Sequence, residues 1–298
     1  MSPEKTRPVV APRGNEEAIR AFLGAAEATP LREAVGLSWQ NLDPVRMTQV
    51  VTPSARFLDT EGALSMGALA VLADSTAGSA GAVNGGYWFG VTLGLRIELA
   101  RPLPVPAVEV LATASVIRAD AAESLVTAML TDREGVGLGY ASMRGLGLDR
   151  RSAPESERDS PRPPRLAPTV ASGRGTDTGL GFVVEAKADR GRSRLVVEPD
   201  PVFASGTGRL HGGIVAALVH QGGHHAIASS TQPGERVLDL VLDVDFIRPV
   251  PPGGSLLKIR AKVSSRTRRY AWAEGRVLLP DGRTAARGRI LAAISPTA

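Results

Sequence analysis

His211-Gly212-Gly213-Ile-Val-Ala-Ala-Leu-Val-His220-Gln-Gly-Gly-His224-His225 holds every histidine of the 298-residue chain. An upstream stretch, Ser65-Met66-Gly67-Ala-Leu-Ala-Val-Leu-Ala-Asp74-Ser-Thr-Ala-Gly-Ser, repeats its rhythm at an offset of 146 residues. Where the later copy has His-Gly-Gly, the earlier has Ser-Met-Gly. Where the earlier copy has Asp74, the later has His220. Each copy kept a different part of a polar motif, which points to one working site assembled from both.

The repetition extends outward from these stretches. Pro53 and Phe57 match Pro199 and Phe203 at the same offset. Arg96-Ile-Glu-Leu-Ala-Arg-Pro102 matches Asp243-Val-Asp-Phe-Ile-Arg-Pro249, and Met129-Leu-Thr-Asp-Arg-Glu-Gly135 matches Leu278-Leu-Pro-Asp-Gly282. Offsets between 146 and 149 leave room for few insertions, so the chain is an internal duplication of one domain. Between the copies, residues 149–168 carry five prolines, many charges and a single Leu, the composition of a solvated linker. The expected organisation is an N-terminal helical extension (1–39), a first domain (40–148), a Pro/Arg-rich linker (149–177) and a second domain (178–298). The extension includes an amphipathic segment, 15–34, with Ala18, Phe22, Leu23 and Leu31 on or near one face.

Within each half a mixed first strand precedes one helix, at about 66–82 and about 212–229, and further strands follow. In the second half these are 236–248, 255–265, 270–279 and 284–294. Alternation is plain in Leu240-Val-Leu-Asp-Val-Asp-Phe-Ile and Leu256-Leu-Lys-Ile-Arg-Ala-Lys-Val. The helices are rich in Ala and Gly and poor in charge, so a sheet can approach them from several sides and they should be buried. The expected class is α+β: one buried helix wrapped by a long antiparallel sheet, twice over.

Bulk composition narrows the function. With 43% apolar and 22% charged residues the chain can build a sizeable core. The lack of cysteine excludes disulfides, thiolate zinc sites and cysteine nucleophiles, and suits the cytoplasm. The net charge of +5 is spread among interspersed acids and bases, and aromatics are only 4%, so no stacking platform for nucleic acid is evident. The longest low-charge run, 62–95, is broken by Asp74, Asn84 and glycines and does not read as a membrane span. The expectation is a soluble cytoplasmic protein with a small-molecule ligand, and neither nucleic acid nor membrane as partner.

A long helix opened by His-Gly-Gly, with an Asp nine residues along in the other copy and an Arg-Pro after an alternating strand, resembles the hotdog-fold acyl-CoA thioesterases of the PaaI type. The resemblance covers about 40–148 and 178–296 and implies a tandem, or double, hotdog. It further implies a carboxylate on one helix as general base or nucleophile, here Asp74. The backbone N–H after the His of the other helix would polarise the thioester carbonyl, which maps to His211, Gly212 and Gly213. Six residues before the His, where the family often carries Asn, the two halves have Asp59 and Ser205. The implied substrate is an acyl-CoA or acyl-carrier thioester, with coenzyme A present only as part of the substrate.

Geometry reaches the cross-domain pairing independently. Gly67 and Asp74 are nearly two helical turns apart, roughly 10 Å at 1.5 Å per residue. A carbonyl bound at one helix N-terminus is therefore out of reach of that helix's own acid. Two helices packed antiparallel about a pseudo-two-fold would set Asp74 against His211-Gly212-Gly213, and His220 against Ser65-Met66-Gly67. The first pairing has all its parts; the second, a degenerate site of His220, Ser65, Gly67 and Asp59, lacks the carboxylate. Asp59, Ser65 and His220 could converge there as an imitation of a nucleophilic triad, or His220 could simply fill the lapsed site.

Other candidates each have a bland rival. His220 and His224 lie four apart on one helix face, as metal pairs do, but no third ligand is apparent, so neither metal nor cofactor is expected. Arg248, Arg266, Arg268 and Arg269 could meet the phosphates of coenzyme A or line a solvated edge strand. Tyr87, Trp88 and Phe89 could line an acyl pocket or pack as a turn. The functional expectation is thioester hydrolysis by Asp74 with an oxyanion hole at Gly212 and Gly213. The alternative is a non-catalytic acyl- or CoA-binding hotdog with degenerate sites. Two such chains could pair into a homodimer.

Overall fold

Two nearly charge-free helices form the centre of the molecule, as their Ala- and Gly-rich sequences require. The computed structural model describes residue 19 and residues 30–59, 61–87, 89–148, 181–205 and 208–297. The expected linker, most of the segment 15–34, and Trp88 lie outside the described residues. A short helix α1 (Pro30–Val35), which buries Leu31 and Val35, precedes the first sheet strands. The two central helices are α2 (Met66–Gly85) and α3 (Gly212–Ala228).

Among the described residues, twelve strands form one antiparallel sheet. In the first half these are β1 (Leu37–Asn41), β2 (Thr48–Val51), β3 (Phe89–Leu99), β4 (Val110–Ala119), β5 (Glu123–Thr131) and β6 (Gly137–Leu148). In the second half they are β7 (Gly181–Asp189), β8 (Arg192–Pro199), β9 (Glu235–Phe246), β10 (Leu257–Arg266), β11 (Tyr270–Leu278) and β12 (Thr284–Pro296). Their spatial order, β1-β2-β4-β5-β6-β3-β9-β12-β11-β10-β8-β7, reads the same from either end once the halves are exchanged. That is the signature of a duplicated domain paired about a pseudo-two-fold axis, with β3 and β9 at the seam. One point differs from the sequence reading. The single mixed strand expected at the start of each half is a hairpin, β1–β2 and β7–β8. In the second hairpin Arg190 and Gly191 both take positive φ (48° and 77°), the conformation of a two-residue turn whose twist matches that of the strands it joins.

The sheet buries one face on the helices and leaves the other to solvent. β11 alternates buried and exposed residues along its length, as a half-buried antiparallel strand must. α2 packs under β2 to β6 and α3 under β8 to β12. α2 is long and apolar enough to cross a bilayer, yet 78% of that stretch is buried within the protein, so its apolarity serves the core. At its end Gly86 takes the left-handed conformation (φ 75°) and returns its N–H to the Ala82 carbonyl, a glycine C-cap.

Register at the seam locates the axis. Arg96 pairs with Asp243, flanked by Leu95 with Val244 and Ile97 with Leu242. Arg96 and Asp243 are equivalent positions of the two halves, so the axis runs between them. A symmetric dimer would have to place like residues there. The tandem chain instead sets a guanidinium 3.4 Å from a carboxylate.

Candidate active site

Helix-to-helix contact builds the site. A Cβ added at Gly67 would stand 3.0 Å from Ala217, and one at Gly213 would run into Val71 and lie 2.6 Å from the Ala70 carbonyl oxygen. These are equivalent contacts, Gly67 on Ala217 and Gly213 on Val71, and they run in opposite chain directions, so α2 and α3 cross antiparallel. Small residues at these points let the backbones approach closely. Each helix N-terminus is thereby pressed against the middle of the other.

The segments leading into the helices are built alike. Short bridges, Leu58 with Leu64 and Ala204 with Leu210, close equivalent loops. The N–H of Ser65 donates to the Phe57 carbonyl and that of His211 to the Phe203 carbonyl, at 2.8 and 3.0 Å. Phe57 and Phe203 themselves meet edge to face, with ring centroids 6.2 Å apart. Asp200, in the second half, binds Arg56 of the first at 2.8 Å.

Asp74 lies at the N-terminus of α3. Its side chain is 5% exposed. Oδ2 accepts the Gly213 N–H at 2.8 Å, and Oδ1 accepts the Thr92 hydroxyl at 2.6 Å. His211 is the N-cap of α3, and its Nδ1 lies 3.1 Å from the Gly213 nitrogen and 3.3 Å from Asp74 Oδ2. Accepting at Nδ1 leaves the ring proton on Nε2. Burial pushes the His211 pKa below its ordinary value, against the opposing pull of Asp74, which favours this neutral form. A Cβ at Gly212 would come within 2.7 Å of Asp74 Oδ2, and the Gly212 N–H has no acceptor among the described residues. An uncommitted donor at the positive end of a helix, beside a carboxylate, is suited to a carbonyl that gains negative charge.

The equivalent position in the second half has different chemistry. His220 occupies the place of Asp74, and Asp239 that of Thr92, both strand residues lying just before the bulged Leu93 or Leu240. Nε2 of His220 is 2.9 Å from Asp239 Oδ2, and Nδ1 of His224 is 3.0 Å from the same oxygen. Burial would raise the pKa of Asp239, but the two imidazoles hold its carboxyl well below the usual range. The same carboxylate pushes His224 up. Ser65 caps α2 by accepting the Ala68 N–H. Asp59 accepts the N–H groups of Glu61 and Ala63 in its own loop. The acid beside His220 is therefore Asp239, and Asp59 and Ser65 are engaged in backbone hydrogen bonds.

The peripheral candidates fall at varied distances from this centre. Ser205 lies in the loop closed by Ala204 and Leu210, where its N–H donates to the Arg209 carbonyl. Arg248 is exposed and donates to the Thr284 carbonyl. It lies two residues before Val250, whose carbonyl accepts the N–H of Leu210, next to His211. Tyr87 turns inward to bond Ser124 at 2.9 Å. Arg266 pairs with Glu235 at 2.5 Å. Thr92 and Asp239 are the site residues that the sequence did not reveal.

Residues 207–286, which open at the α3 N-terminus and run into β12, match the sequence profile of the thioesterase superfamily. The tesB protein of Mycobacterium avium subspecies paratuberculosis superposes over 92% of this chain and 100% of its own, with 14% identity and a TM-score of 0.58. The chain has the double hotdog fold, and one segment of it is similar to the thioesterase superfamily. A conserved hot dog protein from Alicyclobacillus acidocaldarius matches 90% of the double hotdog and 98% of its own length, at 15% identity and a TM-score of 0.53. A candidate thioesterase from Novosphingobium aromaticivorans covers 86% of this chain and 98% of its own, at 14% identity and a TM-score of 0.55. No curated protein matches the chain by sequence.

Proposed function

We propose that this double hotdog hydrolyses the thioester of an acyl-CoA or acyl-carrier substrate in the manner of PaaI-type hotdog enzymes. The observation that carries the reading is the meeting of Asp74 with the N-terminus of α3, where the Gly212 N–H is uncommitted. The thioester carbonyl docks on that N–H, next to the Asp74 carboxylate. Asp74 takes a proton from a water, whose oxygen adds to the carbonyl carbon. The resulting oxyanion is held by Gly212 at the helix terminus. Collapse breaks the carbon–sulfur bond, and the leaving thiolate recovers the proton from Asp74, giving an acid and a free thiol. Direct attack by the carboxylate, followed by hydrolysis of the anhydride, has the same net balance.

The neighbouring residues assist. The Thr92 hydroxyl fixes the orientation of Asp74, and neutral His211 caps the helix while keeping its Nε2 proton as a further donor. Arg248 is the candidate contact for a coenzyme A phosphate, since a guanidinium bound to one carbonyl keeps other donors. The test is thiol release from purified protein over a panel of acyl-CoAs of graded chain length. Tight binding of acyl-CoA with no thiol release would instead favour a non-catalytic binding protein.

A further inference from the structure

Three side chains converge where the first half's carboxylate has no counterpart. His220 and His224 project from one face of α3, four residues apart, and Asp239 reaches them from β9. One potential ligand atom from each lies within 4.8 Å of the other two. His220 Nε2 to Asp239 Oδ2 is 2.9 Å, and His224 Nδ1 lies 3.0 and 3.2 Å from the two carboxylate oxygens.

The unusual member is His220. Its side chain is only 10% exposed, yet its Nε2 makes no well-aligned hydrogen bond among the described residues although a carboxylate oxygen is 2.9 Å away. The nitrogen therefore approaches the carboxylate off the hydrogen-bond line. A buried polar atom left unsatisfied in this way is costly unless something else binds it. His224 is 32% exposed and gives the cluster a route to solvent. The Asp59 carboxylate, whose field reaches His224, adds negative charge on that side.

We infer that His220, His224 and Asp239 form a binding site for a divalent transition-metal ion of the zinc type, distinct from the Asp74 site. Two imidazole nitrogens and one carboxylate are a ligand set that such ions accept, with a further position left to water. Bonds of about 2.0–2.2 Å in a tetrahedral set place donor atoms roughly 3.3–3.5 Å apart, so each imidazole nitrogen has to draw back from the Asp239 carboxylate by only a few tenths of an ångström, and the two nitrogens already lie within 4.8 Å of each other. The bulge at Leu240 helps by interrupting the regular ladder next to Asp239. The inference does not depend on thioester hydrolysis: a double hotdog without that activity would still present these ligands.

The experiment is titration of the chelator-treated full chain with Co2+ and Zn2+, followed by calorimetry and visible absorption. The expected result is one ion per chain, with Co2+ absorption bands of low-symmetry coordination. His220→Ala and Asp239→Asn should each weaken binding by more than the roughly 10–100-fold that losing a mere supporting residue costs. Asp74→Asn should leave affinity unchanged, which separates this site from the His211–Asp74 pair. Because a variant could fail to fold, X-ray absorption at the zinc edge of the wild-type complex provides a second readout: two imidazole nitrogens and carboxylate oxygen in the coordination shell. Absence of binding at micromolar ion, equal affinity in His220→Ala, or a shell without two imidazoles would overturn the inference.

Discussion

Asp74 Oδ2 accepts the main-chain N–H of Gly213 at 2.8 Å, across 139 positions of sequence and between the two halves of the duplication. The carboxylate is thus held by the same helix terminus at which the Gly212 N–H has no acceptor among the described residues. Each half supplies what the other lacks, and neither repeat has both the acid and the glycine pair.

The two glycines at that terminus should fail in different ways. Gly213→Ala drives a Cβ into the backbone of Val71 and Ala70, which cannot yield as a flexible side chain would. Overpacking of this kind costs about 1–3 kcal/mol or more, so thermal unfolding should show a marked loss of stability. Gly212→Ala meets the Asp74 carboxylate and the Thr92 hydroxyl instead. It should retain most of its stability and lose thiol-release activity, with kcat falling more than melting temperature.

Thr92→Val keeps the shape of the side chain and removes the 2.6 Å hydrogen bond to Asp74 Oδ1. A hydrogen bond to a charged group contributes about 1.5–3 kcal/mol, so kcat should drop by roughly 10- to 100-fold while Asp74 stays in place. Unchanged kinetics would remove Thr92 from the catalytic apparatus.

Acid should weaken the fold through His211. Its folded-state pKa is lowered by burial, so the unfolded chain binds the proton at higher pH than the folded chain does. Stability is then full above the unfolded value of about 6.5 and is lost as pH falls below it towards the folded value. His225, also lowered by burial, acts in the same direction, and His224, raised by Asp239, acts oppositely. Comparing melting temperatures at pH 7.5 and 5.5 checks this: His211→Asn, which keeps an N-cap acceptor, should narrow the difference.

Much of this was legible because duplication leaves marks that are independent of structure. The offset of 146 aligned Asp74 with His220 and Ser65 with His211, and helix rise alone required the acid to serve the opposite helix. Thr92 and Asp239 escaped for a physical reason. In an alternating strand a single Thr or Asp reads as a solvent-facing residue: the offset of 147 that matches Arg96 with Asp243 also matches Thr92 with Asp239, but only the fold shows both side chains reaching the central helices. Asp239, the third potential ligand beside His220 and His224, is hidden in the sequence by the same feature. The opening hairpins were compressed into single strands because the turns at their centres depend on backbone conformation, as at Arg190 and Gly191.

The central claim is that Asp74 performs the chemistry at a terminus supplied by the other half. Asp74→Asn keeps the side chain's size and lets its carbonyl oxygen accept from Gly213 or Thr92. The most direct measurement is kcat for thiol release from the best acyl-CoA substrate in wild type and in Asp74→Asn, with folding of both verified by thermal unfolding. Loss of a general base predicts a decrease of about 10²–10⁴-fold in the folded variant. Turnover by Asp74→Asn within a few-fold of wild type would contradict the account.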